Sequence, residues 1–361
     1  MLQKSLSHKG CLLGLAVGDA MGYSVDKKNW EEICNDYGPN GLLGYDLANG
    51  QADGTSYTQI AAFVCNGLIL GLTRGKPATY QNYITMSLQE WAKSQQFLMT
   101  SEKTRCWIAQ VPAMRRRLCM DTRMLDALTR QTYGTPEKPL FVSNTPSALT
   151  LGVAVGLCYD PEKMDPLQLG TLAANATAIT HGDPLAFLCN AFLAYSIAGI
   201  IQEPEQPLPE HFRQAMDVVE QQFGSQYPQV QVIRKKIDRA LALTKDPEIT
   251  PLAAMTLLEC TNAVECLAGA VYASAVHPNN FDEAMIVSVN HSGRSCAVAA
   301  VAGGILGAKL GADALPDFYL ESLETANVLE ELANDIAEGR RTSCIFDDDW
   351  DQKYVQGRPI A

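Results

Sequence analysis

Toward the C-terminal end of the chain, Asn290-His291-Ser292-Gly293-Arg294-Ser295-Cys296 gathers several chemically capable side chains just before an apolar run. A cysteine at a helix start beside an arginine has its thiolate favoured, which is how a nucleophile is made. His291 is the one nearby base, and the competing reading of Cys296 is a buried, inert thiol. His291 and Ser292 precede a helix whose unpaired N–H groups suit an anion such as phosphate, or they serve in ordinary capping. His181, in Thr180-His181-Gly182-Asp183-Pro184, has the default reading of a satisfied histidine at a helix–helix turn. Asp53 stands just before a helix start near Thr55 and is placed to cap it. Arg115-Arg116-Arg117 with Arg123 and Arg130 forms a basic patch, either for an anionic partner or as a solvated helix face. Asp347-Asp348-Asp349-Trp350-Asp351 reads as an acidic, partly mobile tail rather than a metal cluster.

The elements that must position these residues are helices. Helical periodicity runs nearly end to end, and alternating strand patterns are scarce. The first helix is expected over 9–22. In it Gly10, Gly14 and Gly18 fall four apart on one face, which predicts close approach of another backbone, because each helical glycine costs about 1 kcal/mol relative to alanine. A turn-rich loop follows (Asn35 to Gly41, then Asn49 to Gly54), and a helix begins near Thr55. Further helices are expected over 77–96, 119–132, 146–158, 166–180, 184–202, 209–224, 228–244, 252–276, 280–289, 296–309 and 319–338, with Asp165, Asp183 and Asn280 as caps. No linker or repeat divides the chain, which predicts one helical domain over 1–361 with 340–361 as a C-terminal tail.

Composition sets the outer bounds. Hydrophobic residues make up 47% and charged residues 19%, enough for a large core and against disorder. A formal net charge of -12 disfavours nucleic acid and anionic membrane surfaces as partners. The 11 cysteines are odd in number, sit mostly in apolar runs and form no CxxC pair, so free thiols in a reducing cytoplasm are expected. Pro184 to Ile201 carries no charge and reaches membrane-spanning length, but it holds Asn190, Tyr195 and Ser196 and lacks basic flanks. A buried core helix is the expected reading.

Three segments, in order, resemble the ADP-ribosylglycohydrolase family. Gly10-Cys11-Leu12-Leu13-Gly14-Leu15-Ala16-Val17-Gly18-Asp19-Ala20-Met21-Gly22 is similar to its opening helix, and Thr180 to Pro184 to its central turn. Asn290-His291-Ser292-Gly293 with Val301 to Ala308 is similar to its C-terminal signature. The resemblance spans about residues 8–316 and implies an all-α orthogonal helical bundle. It also implies a cleft that holds ADP-ribose over two magnesium ions. By analogy, Ser143, Asn144, His181, Asn290, His291, Ser292, Gly293, Arg294 and Ser295 become candidate ligand contacts.

The aligned metal positions depart from the family. Its Thr-Asp-Asp-Thr start reads Ala52-Asp53-Gly54-Thr55, its Asp-x-Asp-Thr start reads Arg294-Ser295-Cys296-Ala297, and its glutamate after the first helix aligns with Asp26. Asp53 can therefore be a ligand remnant as well as a cap. Two magnesium ions need several carboxylates, and an arginine stays charged at any relevant pH. Ala52, Asp53, Gly54, Arg294, Cys296 and Ala297 are read as vestigial, no metal is expected, and Arg294 is expected to pair with Asp53. The ligand-facing loop aligns with Ser143 to Leu151, where bulkier residues replace glycines and Pro146 removes a donor.

These observations predict a degenerate family member that binds ADP-ribose or a related nucleotide with little or no magnesium-dependent hydrolysis. One alternative is an active hydrolase of ADP-ribosyl N- or O-glycosidic bonds using Asp26 and Asp53 as acid and base. The other is a non-catalytic structural or interaction protein. Whether the chain is an enzyme stays open on the sequence.

Overall fold

The computed structural model of the protein describes residues 2–47, 50–74, 76, 79–96, 104–118, 121–130, 133–339 and 348–359. Among them the chain forms seventeen α-helices. These are α1 (Leu2–Tyr23), α2 (Trp30–Tyr37), α3 (Ser56–Arg74), α4 (Tyr80–Gln95), α5 (Thr122–Thr129), α6 (Leu149–Leu157), α7 (Pro166–Ala178), α8 (Pro184–Gln202) and α9 (Leu208–Phe223). They continue as α10 (Val230–Leu243), α11 (Pro251–Leu258), α12 (Ala263–Val276), α13 (Phe281–Val289), α14 (Ser295–Leu310), α15 (Asp317–Ser322), α16 (Ala326–Glu338) and α17 (Asp348–Tyr354). The described residues contain no strand, only an isolated parallel bridge between Ala52 and Leu323. The all-α class read from periodicity is the class observed.

Small residues every four positions decide the centre of the bundle. Gly10, Gly14, Gly18 and Gly22 of α1 lie in turn against Gly307, Gly303, Ala299 and the Ser295–Cys296 start of α14. A Cβ on any of the four glycines would run into backbone of the facing helix; at Gly22 it would stand 2.6 Å from the Cys296 nitrogen. The predicted close approach is thus real, and its partner is α14. Because the helices run antiparallel, the C-terminal end of α1 meets the N-terminal end of α14. That junction brings residues just after α1 to the Arg294 turn.

Other helices wrap this pair. α8 and α3 are long and apolar enough to cross a membrane, yet most of each is buried inside the bundle. The expected core-helix reading of 184–202 agrees with this packing. Asp165, Asp183 and Asn280 cap α7, α8 and α13 as expected, each accepting a backbone N–H of the first turn.

Several expected boundaries are corrected. Residues 35–37, read as part of a loop for their turn formers, belong to the helix Trp30–Tyr37. Asn29 and Glu32 close a capping box, with Glu32 N donating to Asn29 Oδ1 at 3.0 Å and Asn29 N to Glu32 Oε2 at 2.7 Å. The single helix expected over 252–276 is two, because Glu259 (φ 68°) and Cys260 (φ 54°) turn left-handed and Asn262 caps α12 afresh. The segment expected over 319–338 is likewise split, into α15 and α16. Of the helix expected over 119–132, residues 119–120 and 131–132 lie outside the described residues, as do 77–78 of the helix expected over 77–96.

The acidic C-terminal segment, read as a partly mobile tail, is a docked helix where it is described. Trp350 and Tyr354 of α17 are buried, Trp350 Nε1 donates to Thr73 Oγ1 at 3.1 Å, and Lys353 Nζ reaches Asp335 Oδ2 at 2.7 Å. Two aromatic rings spaced four apart give this short helix an apolar face that its aspartates hide in the sequence. Asp347 lies outside the described residues.

Candidate functional site

Two carboxylates, Asp19 buried and Asp26 half-buried, organise the ground around the α1–α14 junction. Asp19, on α1 and fully buried, accepts four hydrogen bonds: Thr55 N (2.6 Å), Thr55 Oγ1 (2.6 Å), Thr58 N (3.0 Å) and Thr58 Oγ1 (2.6 Å). From another helix it takes up the Thr58 N–H of the first turn of α3, while Thr55 Oγ1 accepts Tyr57 N at 3.3 Å within the chain's own cap. Burial raises the Asp19 carboxyl above its ordinary value despite these four donors. The capping role expected of Asp53 thus belongs to Asp19 and Thr55.

Asp26, four residues past Gly22, reaches the start of α14. Arg294 Nε lies 3.3 Å from Asp26 Oδ2, and Cys296 N donates to Asp26 Oδ1 at 3.3 Å. The expected Arg294–Asp53 pair is therefore corrected. Arg294 pairs with Asp26, while Asp53 is held by Arg116, which also reaches Glu324 Oε2 at 3.0 Å. The glycine stripe sets this outcome, because it delivers residue 26 rather than residue 53 to the α14 N-terminus.

Beside this junction opens a cleft of about 580 Å³, bordered by Asp26, Lys27, Thr55, Ser56, Tyr57 and Arg294 on one side. The other side carries Arg117, Asp121, Arg123, Ser143, Thr145 and Ser147. The volume suits a ligand of nucleotide size. Lys27, Arg117, Arg123 and Arg294 outnumber the carboxylates Asp26 and Asp121 there, so a chain of net charge -12 presents a locally cationic cavity. The basic run divides: Arg117 and Arg123 border the cleft, Arg116 ties Asp53, and Arg130 pairs with Asp126 at 2.6 Å.

His181 lies beneath the far wall, 1% exposed. Its Nε2 is 2.8 Å from Ser147 Oγ, 3.0 Å from Thr145 Oγ1 and 3.3 Å from Asp121 Oδ2, while Nδ1 is 2.8 Å from Thr180 Oγ1. Asp121 also accepts from Ser147 Oγ at 2.6 Å and from the first N–H groups of α5. Burial alone would raise the Asp121 carboxyl, but the hydrogen bonds from His181 and Ser147 hold it below the usual carboxylate range. Serine and aspartate meet the same imidazole nitrogen. The cluster therefore fixes the hydroxyls in place rather than relaying a proton away from Ser147.

The candidate residues of the C-terminal signature mostly serve the fold. Asn290 pairs its side chain with the Leu42 backbone, Nδ2 to Leu42 O and Leu42 N to Oδ1, both at 2.8 Å. Buried His291 places Nε2 at 2.9 Å from Ser288 O and accepts from Gly293 N on Nδ1 at 3.0 Å; burial lowers its pKa to about 4. Ser292 Oγ accepts from Trp30 N at 2.9 Å, and Ser295 Oγ donates to Val289 O at 2.9 Å. Gly293 packs against Cys260, and Asn144 O accepts from Ala263 N at 2.8 Å. Of the nine candidate ligand contacts only Ser143 and Arg294 border the cleft, with His181 directly behind it. Of the two candidate acid–base groups, Asp26 borders it and Asp53 does not. Cys296 borders the cleft but is 2% exposed, and burial pushes its thiol well above its ordinary value, which argues against the nucleophile reading. Tyr57 and Asp121 went unnoticed in the sequence, while Thr145 and Ser147 lay in the loop aligned as ligand-facing without being singled out as contacts.

The chain belongs to the ADP-ribosylglycohydrolase family, whose model matches residues 7–345. A solved structure described as an "ADP-ribosylglycohydrolase-related protein complex" is similar in fold. It has a TM-score of 0.57 and 21% identity, covering 94% of this chain and 99% of its own. No curated protein sequence matches significantly.

Magnesium, implied by the family resemblance, finds a poor donor set. The two carboxylates left at the aligned positions each hold a guanidinium, Asp26 that of Arg294 and Asp53 that of Arg116. Ala52, Gly54, Cys296 and Ala297 add no oxygen side chain, and no group of three His, Cys, Asp or Glu side chains is close enough for a metal among the described residues. The residues present do not fit a binuclear magnesium centre.

Proposed function

We propose that this chain is a single-domain, cytoplasmic member of the family that has kept the ligand cleft and exchanged the metal centre for ion pairs. Its ligand is ADP-ribose or a related nucleotide, and it carries out little or no magnesium-dependent hydrolysis. One observation carries the reading: both remaining carboxylates of the aligned metal positions are neutralised by arginines, beside a cavity that is itself cationic. A divalent cation would meet unfavourable charge there, while a pyrophosphate would meet the complementary sign. The hydroxyls of Ser143, Thr145 and Ser147 suit the sugar end of such a ligand. The nine described cysteines are all unpaired, which supports a reducing compartment.

Calorimetric titration of ADP-ribose, with and without Mg²⁺, tests this directly. Binding of equal strength in both conditions, with no release of ADP-ribose from glycosidic conjugates, is the expected result. Binding that requires Mg²⁺ would overturn the metal-free reading. Turnover would restore the hydrolase alternative, and absence of any binding would favour a structural role.

A further inference from the structure

Two donors on the floor of the cleft stand without acceptors. Arg294 spends its Nε on Asp26 at 3.3 Å, and its Nη groups meet no hydrogen-bonding partner among the described residues. Tyr57 is 4% exposed, and its buried hydroxyl has no hydrogen-bond partner. Both residues border the same cavity, and Tyr57 lies within electrostatic reach of the guanidinium. A buried hydroxyl left unpaired is unfavourable in the empty protein and is relieved by any acceptor that enters. The carboxylates nearby do not fill that role. Asp26 is engaged by Arg294 Nε and Cys296 N, and Asp121 by Ser147 and the start of α5.

We propose that the floor of the cleft is an oxyanion site, in which the Arg294 Nη groups and the Tyr57 hydroxyl together clasp a phosphoryl group of the ligand. This rests on reading the cleft as a ligand site and adds which part of the ligand reaches its floor. A guanidinium fork matches two oxygens of a carboxylate or a phosphate. A terminal phosphate has a third oxygen, and a pyrophosphate the oxygens of its second phosphorus, left for the tyrosine. Lys27, bordering the same cavity, adds charge without geometry.

Inorganic phosphate, AMP, adenosine and ADP-ribose are the probes, titrated by calorimetry against the full chain, Tyr57→Phe and Arg294→Lys. Phosphate is expected to bind the unaltered chain, and AMP to bind at least tenfold more tightly than adenosine. Tyr57→Phe is expected to weaken phosphate and AMP roughly tenfold, the usual weight of one hydrogen bond to a charged group. Its melting temperature should not fall, since the lost hydroxyl bonds to nothing in the protein. Arg294→Lys keeps the charge opposite Asp26 and loses the fork, so it too should weaken phosphate. No phosphate binding, or equal phosphate binding by Tyr57→Phe and the unaltered chain, overturns the oxyanion site. ADP-ribose that binds with no dependence on Tyr57 leaves the cleft reading standing and this inference refuted. Tyr57-dependent phosphate binding without ADP-ribose binding upholds the inference and refutes the assignment of ADP-ribose.

Discussion

Asp26 and Asp53 are both aspartates next to arginines, and their surroundings make them unequal. The Asp26 and Arg294 side chains are 15% and 26% exposed, whereas Arg116 opposite Asp53 is 40% exposed. Half-buried pairs fall between exposed ones, near 0–1 kcal/mol, and buried ones, so a double-mutant cycle of Asp26→Asn with Arg294→Met should give a coupling of about 1–3 kcal/mol. The cycle of Asp53→Asn with Arg294→Met should be additive to within about 0.5 kcal/mol. Urea unfolding of the six proteins decides it, and coupling of Arg294 to residue 53 would contradict the geometry. The sequence told which residue types survived at the aligned positions. It could not tell who pairs with whom, because that depends on where two helices cross. Asp19 makes the same point: it was visible in the opening motif, yet its role as the cap of α3 exists only once residues 19 and 55 are brought together.

At the scale of elements, the α1 glycines allow an unusually clean contrast. Changing a helical glycine to alanine ordinarily stabilises by about 1 kcal/mol. At Gly18 the new methyl would enter the backbone of Ala299, so Gly18→Ala should instead destabilise by about 2–3 kcal/mol, read as a lower urea midpoint. A neutral or stabilising result would mean that α14 can retreat. Here the sequence was informative in one direction: glycines four apart announced a close neighbour without naming it, since α14 is rich in small residues on every side. The break between α11 and α12 was illegible for a different reason. Glu259 and Cys260 adopt left-handed backbone that no glycine or asparagine advertises, and the Arg294 N–H bonded to Cys260 O at 2.8 Å helps hold it.

The whole molecule carries its acid sensitivity in its core. His8 and His291 are buried, and burial lowers both to about 4. Unfolded imidazoles take up protons near pH 6.5 and the folded ones do not, so this contribution is complete above that pH and is lost as pH falls towards about 4. At pH 5 each ring should remove about 2 kcal/mol relative to pH 7.5, an order-of-magnitude figure from linkage. The melting temperature should therefore fall between pH 7.5 and 5, before most carboxylates titrate, and imidazole resonances of both rings should stay unshifted over that range. A flat melting profile would show that these histidines protonate in place. Overall helical class and family were legible because both are written in local period and short motifs. The docked C-terminal helix was not, because four aspartates in five residues outweigh two aromatic rings in any reading of composition. The pairing of α1 with α14 also has a consequence in time. Gly10 and Gly307 touch across nearly the whole chain, so the central contact has very high sequence separation and forms late. During synthesis at about 5–20 residues per second, the apolar α1 must wait roughly 15–60 s for its partner to appear. Through that interval its glycine-lined face stands open to any other small-residue helix.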